Sequence, residues 1–135
     1  MPVDSDDTLR EILDHDTIAV VGCSTTSGKP AHDVPAYLQS QGYRIVPVNP
    51  FADEILGERA YDSLSDVAAT VDIVDVFRPS EEVAGIVDET LDREDVRVLW
   101  TQLGIRDDDA ARRAEDAGLR VVQDRCLKVE HERLR

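Results

Sequence analysis

Thr17-Ile-Ala-Val-Val-Gly-Cys-Ser-Thr-Thr-Ser-Gly-Lys29 decides the fold. An apolar, β-branched run ends in a loop of glycine, small hydroxyl residues and one cation, which opens onto the helix-length stretch Ala31–Gln41. Outward from it the same rhythm repeats. Four more short strand-like runs follow: Arg44-Ile-Val-Pro-Val48, Asp72-Ile-Val-Asp-Val-Phe77, Arg97-Val-Leu-Trp-Thr101 and Leu119-Arg-Val-Val-Gln123. Helix-length pieces separate them, near 64–69, 81–91 and 107–117, with Gly42 and Gly118 punctuating helix ends and Ser80 read as an N-cap.

Nearly continuous apolar runs are what a parallel sheet covered on both faces requires, and right-handed crossovers then leave a doubly wound sheet. The fold class read here is α/β: a Rossmann-like three-layer αβα domain with a five-stranded parallel sheet, expected in the order 3-2-1-4-5. Residues 1–135 are read as one domain, with 1–8 and 128–135 expected to be loose. Ligands of such sheets bind beyond the carboxyl ends of the strands, where the strand order reverses. That directs attention to Gly22–Lys29, Asn49-Pro50, Arg78-Pro79-Ser80, Gln102-Leu103-Gly104 and Asp124-Arg125-Cys126.

Gly22–Lys29 has the composition that aims backbone N–H groups and a helix N-terminus at phosphate. It is not a Walker A loop, because five residues separate Gly22 from Gly28 and Pro30 follows Lys29 where a Mg²⁺-binding hydroxyl is needed. Nor is it the dinucleotide fingerprint, which would place glycines at Ser24 and Ser27 and a carboxylate near Asn49. Lys29 and Arg78 are the natural cations for a phosphorylated nucleotide, unless Arg78 simply pairs with a neighbouring Asp or Glu.

The chain has 135 residues and a formal charge of −14, from 29 acidic and 15 basic side chains. That balance repels nucleic-acid backbones and anionic lipid heads, so neither is an expected partner. No apolar run reaches the roughly 20 residues that span a bilayer, and the acidic opening Met1–Thr8 is unlike a basic-led signal peptide, so a cytoplasmic protein is expected. Arg outnumbers Lys by 13 to two, and Asp alone supplies 19 acids, a hydrated, self-repelling surface that points to a halophilic source. Cys23 and Cys126 are too few for a disulfide scaffold or a closed zinc site.

Ile18-Ala-Val-Val-Gly-Cys-Ser24, Gly42-Tyr-Arg-Ile-Val-Pro-Val-Asn-Pro50, Val71-Asp-Ile-Val-Asp-Val-Phe-Arg78, Val98-Leu-Trp-Thr-Gln-Leu-Gly104 and Val122-Gln-Asp-Arg-Cys126 together resemble the stand-alone CoA-binding domain proteins. These are small relatives of the CoA-binding N-terminal domain of succinyl-CoA synthetase α subunits. The resemblance runs from about residue 9 to about residue 134 and departs from the common pattern at Cys23, usually alanine, and at Leu127, usually proline. It implies coenzyme A or an acyl-CoA as ligand. Gly22, Cys23, Ser24 and Thr25 would line the pyrophosphate loop, with Lys29 beyond them. Asn49 and Pro50 would border the adenosine, with Phe77, Arg78 and Pro79 on its other side. Trp100, Thr101, Gln102 and Gly104 would line the pantetheine path.

No catalytic or metal-ligating residue is expected. The phosphorylated histidine of the synthetases belongs to a further domain. His15 precedes the first strand, His131 falls in the tail, and His32, in the first helical turn after the loop, suits a polar capping or ligand-edge role rather than acid–base work. Asp72, Asp75, Glu81 and Glu82 are read as solvated or capping carboxylates. Cys126, beside Arg125, has chemical promise, and a mixed disulfide of Cys126 or Cys23 with CoA is weighed against a buried structural thiol, which is the preferred reading. A Cys23–Cys126 bridge is not expected, since strand ends two places apart are about 10 Å from each other. The reading is therefore a non-catalytic carrier, sensor or regulatory module. An NAD(P)-binding redox sensor or oxidoreductase, and a non-catalytic subunit of a CoA ligase, are the alternatives.

Overall fold

The computed structural model describes residues 5–135. Helix α1 (Asp6–Leu13) starts at Ser5, whose Oγ accepts the Thr8 N–H at 3.2 Å, and it buries Leu9, Ile12 and Leu13. Then follow β1 (Thr17–Val21), α2 (Pro30–Ser40), β2 (Arg44–Val48), a short hairpin of β3 (Glu54–Ile55) and β4 (Glu58–Arg59), and a 3-10 turn at Leu64–Asp66. After β5 (Ile73–Val76), a 3-10 turn at Ser80–Glu82 leads into α3 (Val83–Leu91). The chain closes with β6 (Val98–Thr101), α4 (Asp108–Asp116), β7 (Arg120–Val122) and α5 (Leu127–Leu134).

The five main strands are all parallel and lie in the order β2-β1-β5-β6-β7. Helices α1, α2 and α5 pack on one face and the 64–66 turn, α3 and α4 on the other, each face with its own apolar layer. The three-layer αβα architecture and the parallel five-stranded sheet are as expected; the order differs in one respect. Counted along the chain, the parallel strands run 2-1-3-4-5 instead of 3-2-1-4-5, because the third strand returns to the inner side of β1. All four residues of β5 are buried, which suits a strand paired on both sides. At the foot of the pair, the Asp72 carboxylate accepts the N–H groups of Asp16 and Thr17 at 3.2 and 3.0 Å, locking β5 to β1. Pro47, with no N–H to give, lies in the edge strand β2.

The segments expected to be loose are structured where they are described. Residues 6–8 open α1, and 128–134 lie in α5, while 1–4 fall outside the described residues. Glu130, on α5, accepts from Arg125 at 2.8 Å and from Arg133 at 3.0 Å, and Arg133 also reaches Asp6 at 2.9 Å. Ser80 does not act as an N-cap: it begins the 3-10 turn, and its Oγ accepts the Arg106 N–H at 2.9 Å. Arg93, largely buried, donates to the carbonyls of Leu64, Val67 and Ala69 and pairs with Asp95, so one guanidinium holds the descent into β5.

Candidate functional site

The 2-1-3-4-5 order puts the reversal between β1 and β5, so the loops after these strands diverge onto opposite faces of the sheet and leave a crevice. A cavity of about 470 Å³ lies there. Its floor is apolar, made by Val21, Val48, Leu64 and Ile86. One wall is the β1–α2 loop with Gly22, Cys23, Ser24 and Lys29, continued by Asn49, Pro50 and Phe51 after β2. The opposite wall carries Arg78, Glu82, Glu89, Asp62 and Ser63. An apolar floor between a donor-rich loop and a cation suits a nucleotide, whose base needs apolar surface and whose phosphates need donors.

Gly22 has a φ of +91°, a conformation that L side chains rarely adopt, and a β-carbon there would stand 2.8 Å from Cδ of Arg78. The missing side chain lets the Arg78 stem cross the loop. Its guanidinium then forms a forked pair with Glu82, Nε to Oε1 at 3.2 Å and a terminal nitrogen to Oε2 at 2.7 Å. Hydrogen bonding to Arg78 holds the Glu82 carboxyl below its ordinary range. The pairing of Arg78 with a nearby acid, weighed from sequence, is the state this structure adopts, with both side chains about half exposed at the cavity.

Asn49 explains the absence of a carboxylate after β2. Its Nδ2 donates to the Cys23 carbonyl at 2.9 Å while its Oδ1 accepts the Phe51 N–H at 2.7 Å, so it braces the β1 loop against its own turn. A carboxylate has no N–H to donate to that carbonyl. Within the loop, Ser24 N–H bonds the Ala31 carbonyl, Thr26 N–H bonds Ser24 Oγ, and Gly28 N–H bonds Asp33 Oδ1, all near 3.0 to 3.1 Å. His32 also bonds Asp33, at 3.1 Å, in keeping with the polar role read for it. Phe51, 95% exposed, stands at the rim and was not singled out from the sequence, nor were Asp62, Ser63, Ile86 and Glu89.

Of the expected ligand contacts, Gly22, Cys23, Ser24, Lys29, Asn49, Pro50 and Arg78 come together around the cavity. Thr25 and Pro79 are exposed but are not among its lining, and Phe77 packs partly into the α1/α2/α5 face. Trp100, Thr101, Gln102 and Gly104 do not reach it, since β6 lies beyond β5 from the crevice. Trp100 is wholly buried and donates Nε1–H to the Arg125 carbonyl at 2.8 Å. Thr101 Oγ1 donates to the Ile105 carbonyl at 2.7 Å, and the Gly104 N–H donates to Asp124 at 2.6 Å.

Gln102 serves a buried carboxyl. Asp75, in the centre of the sheet, is fully buried, accepts one hydrogen bond from Gln102 Nε2 at 2.8 Å and leaves its Oδ2 without a partner. Burial pushes its pKa up to about 7, with the Gln102 bond acting the other way. This corrects the reading of Asp75 as a solvated or capping group; its neighbour Asp72 instead accepts the N–H groups that lead into β1. Burial and the nearby Asp75 also push the Cys23 thiol up to about 12, leaving it protonated. Cys126 is half-buried, both thiols are free, and Arg125 is engaged by Glu130 rather than left as an activating charge. His131 is buried, bonded to Tyr37 Oη at 2.7 Å and edge-on to Tyr43. Among the described residues no group of three His, Cys, Asp or Glu could hold a metal ion, and no helix is long and apolar enough to cross a membrane.

The comparisons with known proteins bear on the same residues. Residues 16–132 match the model of the CoA binding domain family. The chain belongs to that family. It is 40% identical over 124 residues to a Bacillus subtilis protein named YneT and described as uncharacterized, covering 91% of each chain. A solved structure from Thermus thermophilus, designated cell-free ID.343, superposes with a TM-score of 0.92 at 44% identity, over 98% of this chain and 100% of that one. An ADP-forming acetate–CoA ligase of Archaeoglobus fulgidus is 35% identical over 83 residues, 60% of this chain but only 12% of the ligase. The CoA-binding domain family is thus shared with a ligase whose remaining length has no counterpart in that match.

Proposed function

We propose that this CoA-binding domain protein binds coenzyme A or an acyl-CoA at the carboxyl ends of β1, β2 and β5 and acts as a non-catalytic carrier, sensor or regulatory module. The observation that carries the reading is the cavity at the strand-order reversal, with the Gly22–Lys29 loop on one wall and Arg78 on the other. In this reading the pyrophosphate lies against Gly22, Ser24 and Lys29, and the adenosine lies between Asn49-Pro50 and Arg78. The pantetheine arm leaves over the outer surface, because Trp100, Thr101 and Gln102 are committed to the interior. Of the groups that line the cavity, the Cys23 thiol is held protonated and Arg78 is paired with Glu82, and the apolar floor between them favours binding as the function.

Thermal unfolding in concentrated KCl, with CoA, 3′-dephospho-CoA, NAD or ATP added separately, tests this. Ligand at 100 times its Kd stabilises by about 2.7 kcal/mol, several degrees of Tm in a domain of this size. A shift with CoA that Lys29→Ala and Arg78→Ala reduce is the expected result; a shift with NAD and none with CoA overturns it. The match to an acetate–CoA ligase favours a second reading, a CoA-binding subunit of such a ligase. Co-purification of a partner that matches the rest of the ligase's length would favour it over a stand-alone module.

A further inference from the structure

We propose that Glu82 is a built-in competitor for the ligand: its carboxylate holds one edge of the Arg78 guanidinium, and a phosphate that takes that edge must displace it. The inference rests on the reading of the cavity as a CoA site and concerns what sets its affinity.

Three features of the site carry it. The Arg78–Glu82 pair is forked: the two carboxylate oxygens take the Nε–H and one terminal N–H, an edge of the guanidinium on which a phosphate would also fork. Both residues line the cavity, and Gly22 confines the Arg78 stem across the loop, so the exchange takes place inside the site. Neither side chain is buried, with 48% and 45% exposure, so the pair is weak enough for a dianionic phosphate to exchange with it. A carboxylate bears one charge and a terminal phosphate close to two, which makes the pair selective: a singly charged anion gains nothing over Glu82, and a phosphate does.

The exchange has a consequence for salt. Ordinary anion binding weakens steeply as salt screens the contact. Here salt weakens the competing pair as well, so the net loss of affinity with rising KCl is shallower than two free cations would give. For a surface carrying a formal −14 charge, affinity that tolerates concentrated salt is the useful property.

Isothermal titration with CoA and, separately, with inorganic pyrophosphate on wild type, Glu82→Gln, Arg78→Ala and the double variant tests the proposal across a KCl series. Glu82→Gln should tighten binding about threefold or more, the range an exposed pair commands, and should steepen the decline with KCl. The gain should vanish in the Arg78→Ala background. An equal gain there would mean simple repulsion by Glu82 and overturns the competitor, as does an unchanged or weaker Kd in Glu82→Gln. Failure of CoA to bind any variant, with pyrophosphate still favouring Glu82→Gln, overturns the CoA reading and leaves the competitor standing. Failure of both probes overturns both.

Discussion

Cδ of Arg78 lies 2.8 Å from the point where a β-carbon on Gly22 would stand, so the side chain that ends on Glu82 crosses the loop through space that glycine leaves open. Gly22→Ala tests this. The positive φ alone costs about 1–2 kcal/mol in an L-residue, and the Arg78 stem must also move. Urea unfolding should show a loss of about 2 kcal/mol or more, and the affinity for CoA should fall with it. A loss below about 0.5 kcal/mol would mean that the loop has another conformation open to it.

Asp75 makes stability depend on pH. Its folded pKa is raised from 3.8 to about 7, so between those values the folded protein keeps a proton that the unfolded chain has released. The corresponding stability is fully present below about pH 4 and is lost as pH rises through about 7. Urea unfolding from pH 5 to 8 should therefore show a decline that Asp75→Asn abolishes, with the variant the more stable protein at pH 8. A wild-type profile parallel to that of Asp75→Asn would rule out the protonated carboxyl.

Trp100→Phe should leave ligand affinity within about twofold, since the indole faces the interior and not the cavity. It should cost about 2–3 kcal/mol in stability, because the Arg125 carbonyl loses its donor and a buried space opens. A selective loss of CoA affinity with stability unchanged would restore Trp100 to the ligand path.

Arg93→Lys should be nearly as damaging as Arg93→Ala, at about 3 kcal/mol, because one ammonium cannot replace a planar fork that serves Leu64, Val67, Ala69 and Asp95 together. Leu64 floors the cavity, so the change should weaken ligand binding as well. Denaturant titration of both variants decides whether the fork or the charge matters.

Alkylation with iodoacetamide under native conditions should label Cys126 and spare Cys23, which is 1% exposed and has its thiol pushed up to about 12. Incubation with CoA disulfide should follow the same preference. A Cys23 adduct in the mass spectrum of folded protein would show that the loop opens.

The strand and helix pattern was legible because buried parallel strands leave uninterrupted apolar runs, and the loop after β1 was legible from its small residues. The strand order was not, although one residue carried it. Pro47 in Arg44–Val48 marks that strand as an edge, which excludes an order with the second strand inside. The misplaced order moved the reversal next to β6, where β5 in fact intervenes, and so agreed with the pantetheine path that the family resemblance implied for Trp100, Thr101, Gln102 and Gly104. Helices α1 and α5 were hidden by their acidic and basic residues, which pair within α5, Arg133 with Glu130, and between the two helices, Arg133 with Asp6. Asp75 lay inside the strand run 72–77 from the start, but only the three-dimensional pairing of Val20, Asp75 and Trp100 places it in mid-sheet, away from water.

The bond from Arg133 to Asp6 brings the first and last described helices side by side. A short tether could join residue 135 back to residue 5, and new ends could be cut in the exposed turn at Gly57 without opening either apolar layer. Such a circular permutant should fold, and the pairing makes the unit a cassette: spliced into a loop of another protein, it would enter and leave along one helix pair.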